Sequence, residues 1–333
     1  MVESQGLVTV VVSVYNIERL LPHCLASISA QTYRNLEILL IDDGSTDGSG
    51  RVCDEYAASE PRARVIHQEN KGLWAVRNRG VEEARGEYLF FPDGDDYFHR
   101  DYVRLMYEAI NHGGEEYPLA ICDYLCVFDH NGDTVSDSEP VMEEMGQKEL
   151  MDLITRIPSS ADALWGANWN KLYRKSALPE PFQKPYRRCQ DYDSNLRVFA
   201  CVDRAVHVHK VLYYWVQWSG QSTRSHDDEL IRNECRSRIF LDHFLNMPAQ
   251  LSDFRPYLLA NLYRRLIIWK IDARGTDEWR TALSEIRRME RKTLFPFFTC
   301  KRLTLRRKMH LFLSLHAPCL LERQGRQITL EKA

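Results

Sequence analysis

Four times within the first hundred residues, an unbroken apolar run gives way to a polar stop and then to apolar positions at helical spacing. Leu7 to Val14 is mostly β-branched (Leu-Val-Thr-Val-Val-Val-Ser-Val) and predicts a central strand buried on both faces. Tyr15-Asn16 ends it. Ile17, Leu20, Leu21, Cys24, Leu25 and Ile28 predict an amphipathic helix to about Gln31. Leu36 to Ile41 is the second predicted strand. It runs into Asp42-Asp43-Gly44-Ser45-Thr46-Asp47-Gly48-Ser49, a polar turn that opens a second helix with Ser45 or Thr46 as N-cap. A short third strand covers Arg64 to His67. Asn70-Lys71-Gly72 follows, then a helix carrying Leu73, Val76, Arg77, Gly80, Val81 and Ala84. Tyr88-Leu89-Phe90-Phe91 is the fourth strand, closed by Pro92-Asp93-Gly94-Asp95-Asp96. Such alternation predicts a parallel sheet wound with helices. The polar strand ends at Tyr15, Asp43 and Asp93 should face one crevice, where open α/β sheets bind ligands.

Beyond Asp101 the pattern loosens. Leu119 to Phe128 alternates and ends in His130-Asn131-Gly132-Asp133, a turn signal consistent with a hairpin. A helix is expected near Gln147 to Ile157. Trp165 to Arg174 is aromatic-rich and lacks acids. Gln190-Asp191-Tyr192-Asp193 precedes an apolar face of Leu196, Phe199 and Ala200, which puts Asp191 near a helix start. Val206 to Trp215 reads as another strand, and Ser219 to Ser225 as a small-residue loop around Arg224. From Asp227 onward the pattern is helical, with no internal repeat and no low-complexity linker.

At 333 residues the chain can bury one large core or two modest ones. Its net charge of -3 is unevenly spread: Arg287 to Lys308 holds nine Lys/Arg and one acid, Glu290, a local balance of +8 that leaves the remainder at -11. An acidic remainder argues against nucleic acid as partner. The nine cysteines include no Cys-x-x-Cys pair, and Cys122 and Cys126 read as buried thiols ahead of a zinc pair. This usage suits a reducing cytosol. Val2 to Gln5 leads directly into a strand without a signal peptide, and no apolar run is long enough to span a membrane.

Asp93-Gly94-Asp95-Asp96 carries the first chemical signal. Carboxylates packed this tightly repel one another and are costly to desolvate. A hard divalent cation bridging to substrate phosphates would offset both costs. An isolated Asp-x-Asp is more often a solvated acidic turn, so the neighbouring motifs decide.

Those neighbours form a set: Val10 to Asn16, Ser27-Ile28-Ser29-Ala30-Gln31-Thr32-Tyr33, Glu37 to Ser49, Asn70 to Gly80, Gly86 to Asp96, Asn170 to Arg174, and Gln190-Asp191. Together they resemble family 2 glycosyltransferases of the GT-A fold over roughly Leu7 to Ser225. The resemblance implies an α/β fold: a Rossmann-like, mostly parallel sheet flanked by helices, here with a helical C-terminal extension. It implies a GT-A domain over 1–226, with a nucleotide-sugar-binding half (1–112) and an acceptor half (113–226), and the extension over 227–333.

It further implies an enzyme that moves a sugar from a nucleotide-diphosphate donor, UDP-sugar foremost, onto an acceptor hydroxyl with inversion. Asp43 looks like the residue that hydrogen-bonds the base, and Tyr15 like its neighbour, or else the cap of a core strand. Asp93 resembles the first Asp of the family's metal motif, near ribose and metal, and Asp95 its direct ligand for Mn2+ or Mg2+. Lys71 and Arg77 lie where donor-contacting residues are found. Lys71 reads equally as a solvated loop charge. Arg77 has no acid one turn away on its helix, so a donor phosphate is the better partner. Asp191 resembles the general base, with Gln190 standing where the family carries Glu and able to orient the carboxylate; Ser194 stands where a large apolar residue is usual. Ser222 and Arg224 resemble a loop that closes over the diphosphate, and His226 is left out of the metal set. Trp165 and Trp169 could stack on an acceptor sugar, although core packing is the commoner fate.

The resemblance places such an enzyme in cell-surface or capsular polysaccharide synthesis, in the cytoplasm, with a saccharide acceptor that a lipid can carry. The basic tail, with Phe295, Phe297, Phe298, Leu303, Leu305, Leu311, Phe312 and Leu313 interleaved, fits either a peripheral contact with an anionic membrane surface or a packed helical cap. A nucleotide-sugar-binding scaffold without catalysis is the rival reading. A nucleotidyltransferase fits less well, because Val12 to Asn16 holds no Gly-rich basic phosphate loop.

Overall fold

A computed structural model describes residues 6–128, 139–156, 162–218 and 226–316. In chain order the first stretch gives β1 (Val8–Val14), α1 (Leu21–Ser29), β2 (Leu36–Asp42), α2 (Ser49–Ser59), β3 (Ala63–His67), α3 (Leu73–Glu83), β4 (Tyr88–Phe90), β5 (Tyr97–Phe98) and α4 (Tyr102–Ile110). Then come β6 (Leu119–Val127), β7 (Val141–Gly146), α5 (Gln147–Arg156), α6 (Asp162–Gly166), β8 (Lys171–Arg174), α7 (Gln190–Cys201) and β9 (Arg204–Val216). Four helices close the described chain: α8 (His226–Asn246), α9 (Arg255–Asp272), α10 (Trp279–Thr299) and α11 (Leu305–His316). The loop holding Ser222 and Arg224, the turn at 130–133 and the side chain of His226 lie outside the described residues.

One nine-stranded sheet runs β3-β2-β1-β4-β8-β6-β9-β5, with β7 on β9. The first four strands are parallel, as the alternation predicts. β1 and β2 are buried almost throughout, which is what a β-branched strand covered on both faces requires. β8 then enters antiparallel between β4 and β6, so the sheet is mixed in its second half. Among the described residues β6 and β7 do not pair with each other as a hairpin would. β6 pairs in parallel with β9, and β7 pairs with β9 from the other side. The thirteen-residue β9, buried along Ala205 to Val208, takes the central place between them.

Thr9 and Glu37 are buried polar groups of β1 and β2 with full sets of partners. Thr9 Oγ1 donates to Glu37 Oε2 (2.6 Å) and accepts the Gly86 amide (2.9 Å), while Glu37 also accepts from Arg64 Nε (3.0 Å) and the Arg85 amide (2.8 Å). Such closure avoids the 1–3 kcal/mol or so that an orphaned buried group costs.

The chain divides into two compact units. The first takes the described residues up to 154, with 162–185 and 190–218; the second takes 155–156, 186–189 and 226–316. Within the second unit, α9 is lined by buried Leu258, Leu259, Leu262, Tyr263 and Leu266, and the Tyr263 ring stacks on Phe297 of α10 (3.9 Å). Phe297, Leu303 and Leu311 of the basic segment are buried, whereas Phe295 (78% exposed), Phe298 and Leu305 (71%) face outward. Among the described residues no helix is long and apolar enough to cross a membrane.

Close contact between α3 and β1 yields a test. A Cβ on Gly80 would stand 2.3 Å from Val11 Cγ1. Gly80→Ala should therefore lower unfolding stability by about 1–3 kcal/mol, read by urea titration. Val11→Ala in the same chain should recover part of the loss; an unaltered midpoint in Gly80→Ala would contradict the packing.

Candidate functional site

The site begins where β1 and β2 end. Asn16 takes a left-handed backbone (φ 52°), which Asn tolerates better than most residues. Its Oδ1 accepts the Thr46 amide (2.8 Å), and its own amide donates to Ser45 Oγ (3.1 Å). Ser45 and Thr46 are thus occupied by Asn16, and neither caps the second helix as expected. That helix starts later, at Ser49, whose amide donates to Asp47 Oδ1 (2.9 Å). Tyr15, beside Asn16, is half exposed.

Asp42 and Asp43 are both buried at the end of β2. Asp42 accepts the Ser45 amide (3.0 Å) and pairs with His67 Nδ1 (2.9 Å), a local structural role. Asp43 Oδ1 accepts Gln68 Nε2 (2.7 Å) and the Lys71 amide (2.9 Å), while Oδ2 accepts the Gly72 amide (2.8 Å). The carboxylate therefore shapes the 68–72 loop, whose Lys71 side chain is exposed.

The carboxylates after β4 lie against β1, where an isolated parallel bridge joins Ser13 to Asp93. Gly94 makes this approach possible: a Cβ there would meet Ile17 Cδ1 at 2.6 Å and the Ser13 carbonyl at 2.9 Å. Asp96 is buried and turned toward β9, accepting Tyr213 OH (2.7 Å) and the Val216 amide (2.8 Å). Asp95 accepts Trp218 Nε1 (3.0 Å). Oxygens of Asp93, Asp95 and Asp96 lie within 4.8 Å of one another. Burial pushes Asp93 up to about 7, with Asp95 and Asp191 adding to the push and Arg77 opposing it. Burial, then Asp95 and Asp93, hold Asp96 well above the carboxylate range. An all-oxygen set under this repulsion fits a hard divalent cation such as Mg2+ or Mn2+.

Arg77 joins this cluster to Asp191. It is fully buried on α3, and its Nη2 donates to Asp93 Oδ1 (2.8 Å) while Nη1 donates to Asp191 Oδ1. The sequence looks along the helix for an acid and finds none. The acids come instead from the β4 strand end and the start of α7, and they occupy the guanidinium that a phosphate was expected to meet.

Asp191 stands in the first turn of α7. Gln183 Nε2 (3.1 Å) and the Asn168 amide (3.2 Å) also donate to it. Gln183, rather than the expected Gln190, is therefore the glutamine that orients the carboxylate. Asn78 fixes Gln183 in turn: its Oδ1 accepts the Gln183 amide (2.8 Å) and its Nδ2 donates to the Gln183 carbonyl (2.9 Å). Arg77 and Asn78 thus reach Asp191 by two routes, directly and through Gln183. Ser194 Oγ donates to the Asp191 carbonyl (3.0 Å) and accepts Asn168 Nδ2 (3.2 Å), a polar role that a large apolar residue could not fill. Asp193 is fully buried and pairs with Arg197 (3.1 Å), whose guanidinium also holds the Pro181 and Phe182 carbonyls (2.7 Å each). Asp193 therefore secures the segment that carries Gln183.

Lys171, also outside the sequence expectation, lies buried behind this network. Its Nζ donates to the Leu164 carbonyl (2.9 Å), the Ala167 carbonyl and Asn170 Oδ1 (2.9 Å), while burial pushes its pKa down to about 7. Trp165 and Trp169 are buried, and Trp169 stacks on Tyr213 (4.5 Å, 17°). Core packing, not a sugar platform, is their place. Cys122 is a buried free thiol and Cys126 an exposed one. Gln183 escaped the sequence reading because Asn78, which holds it, is distant in the chain, and Lys171 because nothing in the sequence marks its ammonium as buried.

Comparison with known proteins gives the following. The profile of Glycosyl transferase family 2 matches residues 9–178. The chain is 39% identical over 172 residues to EpsH of Bacillus subtilis, covering 51% of this chain and 48% of EpsH. It is 38% identical over 269 residues to chondroitin synthase of Escherichia coli, covering 75% of this chain and 36% of the synthase. The chain thus spans half or less of the length of these relatives. Among solved structures, S. aureus TarS 1–349 in complex with UDP-GlcNAc shares the fold at a TM-score of 0.65 and 19% identity, over 97% of this chain and 93% of that one.

The shared guanidinium predicts a stability effect. Arg77→Met leaves two carboxylates without their common partner, and breaking such a pair costs about 3–5 kcal/mol. Because both acids are partly exposed, the lower end, about 3 kcal/mol, is expected by urea titration. A loss below ~1 kcal/mol, the range of surface pairs, would show that the carboxylates find other partners.

Proposed function

The chain belongs to glycosyl transferase family 2, and we propose that it is an inverting, divalent-metal-dependent enzyme. It would transfer a hexosyl or N-acetylhexosaminyl group from a UDP-sugar to an acceptor hydroxyl in cell-surface or capsular polysaccharide synthesis. The observation that carries this reading is the single guanidinium of Arg77 between Asp93 and Asp191. It sets a cation-binding carboxylate and a proton-accepting carboxylate on either side of one fixed charge. The likeness to a synthase of a glycan polymer and to a fold solved with UDP-GlcNAc supports the substrate class.

Asp191 is the general base: it takes the acceptor proton as the oxygen attacks the anomeric carbon, while Gln183 and the Asn168 amide hold its carboxylate in place. Asp93 and Asp95 would hold the cation, which when bound supplies Lewis-acid stabilisation of the departing diphosphate. Tyr15, Asp43 and Lys71 serve the nucleoside end, Asp43 in part by setting the backbone at Lys71 and Gly72. Arg77 positions the two carboxylates.

Outside this pocket, the α10–α11 segment is assigned to an anionic membrane surface near a lipid-linked acceptor. Eight of its nine basic residues are exposed beside Phe295, Phe298, Leu305 and Met309, while Lys308 is buried and donates to the Phe298 carbonyl.

Asp191→Asn should bind the donor as the parent does and lose turnover by roughly 10²–10⁴-fold. Asp95→Ala should make UDP-sugar affinity insensitive to Mn2+. Calorimetry with UDP-, GDP- and dTDP-sugars reads binding, and product formation reads turnover. Free turnover by Asp191→Asn would remove the base assignment, and donor binding by the parent without transfer or hydrolysis would favour the scaffold reading.

For the membrane, the parent should sediment with anionic vesicles at low salt and be released by added salt, since juxtamembrane basic residues contribute about 1 kcal/mol each. Phe295→Ser with Leu305→Ser should weaken the association. No association of the parent at low salt would leave α10 and α11 as packed helices alone.

A further inference from the structure

A second cluster of ligating side chains lies on the sheet, apart from the Asp93 pocket and unused by the proposed reaction. Three strands build it. On β9, Val206 and Val208 belong to the core, so His207 and His209 project from the other face. On β6, Cys122 is a core residue and Asp123 follows it; on β7, Met142 packs against the core and Glu143 follows it. The four side chains meet. His207 Nε2 lies 2.9 Å from Asp123 Oδ1, and His209 Nε2 lies 2.7 Å from Glu143 Oε2. The imidazole centroids are 4.1 Å apart. Ligating atoms of Asp123, His207 and His209 all lie within 4.8 Å of one another. The edge of Trp165 packs on His207 (5.5 Å) and restrains the buried ring.

We propose that Asp123, His207 and His209, with Glu143 as fourth donor, form a transition-metal site of zinc type. Two imidazole nitrogens with carboxylate oxygens suit Zn2+, unlike the all-oxygen set at Asp93 and Asp95. Bond lengths of about 2.0–2.2 Å need only small shifts of Asp123, His207 and His209, and Glu143, in contact with His209, turns inward to complete the set. Each histidine exchanges one hydrogen bond to a carboxylate for a bond to the cation, and the carboxylates bind in their ionised form. β7 is held to the sheet by β9, so a cation gripping Glu143, Asp123 and both histidines would clip β7, β9 and β6 together. Its role is therefore structural, and it does not depend on which sugar is transferred.

Zinc titrated by calorimetry into the full chain carrying Asp95→Ala, with the donor-site ligand removed, should bind at one ion per chain. In the same background it should raise the unfolding temperature. Adding His209→Ala, at a partly exposed position that the fold tolerates, should weaken binding at least tenfold and abolish the thermal shift. Glu143→Gln should weaken it by a smaller factor. Co2+ in place of Zn2+ should give the intense visible absorption of a four-coordinate ion. No zinc uptake by Asp95→Ala, or equal affinity after adding His209→Ala, would overturn the site.

Discussion

The candidate site depends on one buried cation. Arg77 enters the interior from α3 with no exposed surface, and an unpaired guanidinium there would cost several kcal/mol. Two carboxylates from distant parts of the chain, Asp93 and Asp191, make that burial tolerable. The dependence runs both ways. The two acids would repel each other in a partly dry pocket, and the planar fork between them sets both their spacing and their orientation. A lysine could neutralise the charge but would not present two coplanar donors. Asn78 ties α3 to the segment around Gln183, so the helix fixes the carboxylate of Asp191 from two directions.

The carboxylates after β4 divide their work by burial. Asp96 is committed to Tyr213 and the Val216 amide, which locks the end of β4 to β9. Asp93 and Asp95 are partly open. Sequence spacing shows three similar acids; the tertiary environment buries one against β9 and leaves two partly open. Asp43 carries a comparable double duty, since its oxygens hold the loop leading into α3, the helix that delivers Arg77.

The first hundred residues were largely legible because their signals are local. β-branched runs, polar strand ends and helical spacing point to β1 through β4 and α1 through α3, with ends shifted by a few residues. The second half was less legible because its pairing is not local. A turn signal after β6 suggested a hairpin, but its residues lie outside those described, and β6 and β7 each pair with β9 rather than with each other. In the same way Asp93, Asp95, Asp43 and Asp191 are singled out by motif position, while their hydrogen-bond partners are not. Gln183 has no local mark, and Ser194 looked like a departure until its hydroxyl was seen between Asp191 and Asn168. Asp193 carries no local mark of its role either, because its partner, Arg197, acts on carbonyls more than ten residues earlier.

The groups behind Asp191 explain why the region tolerates so much buried polarity. Asn168 Oδ1 accepts from Tyr173 OH and Asn195 Nδ2, and Asn195 also donates to the Gly166 and Ala167 carbonyls. Lys171 gathers three further oxygens from residues 164 to 170. Each bond is worth only about 1 kcal/mol net, yet together they fix the turn between α6 and β8 whose Asn168 amide faces the carboxylate of Asp191. An apolar core of equal volume could fill the same space but would offer no directed donor at that point. The polar interior is therefore best understood as a mount for one amide, and Lys171 governs the carboxylate of Asp191 through the backbone it holds.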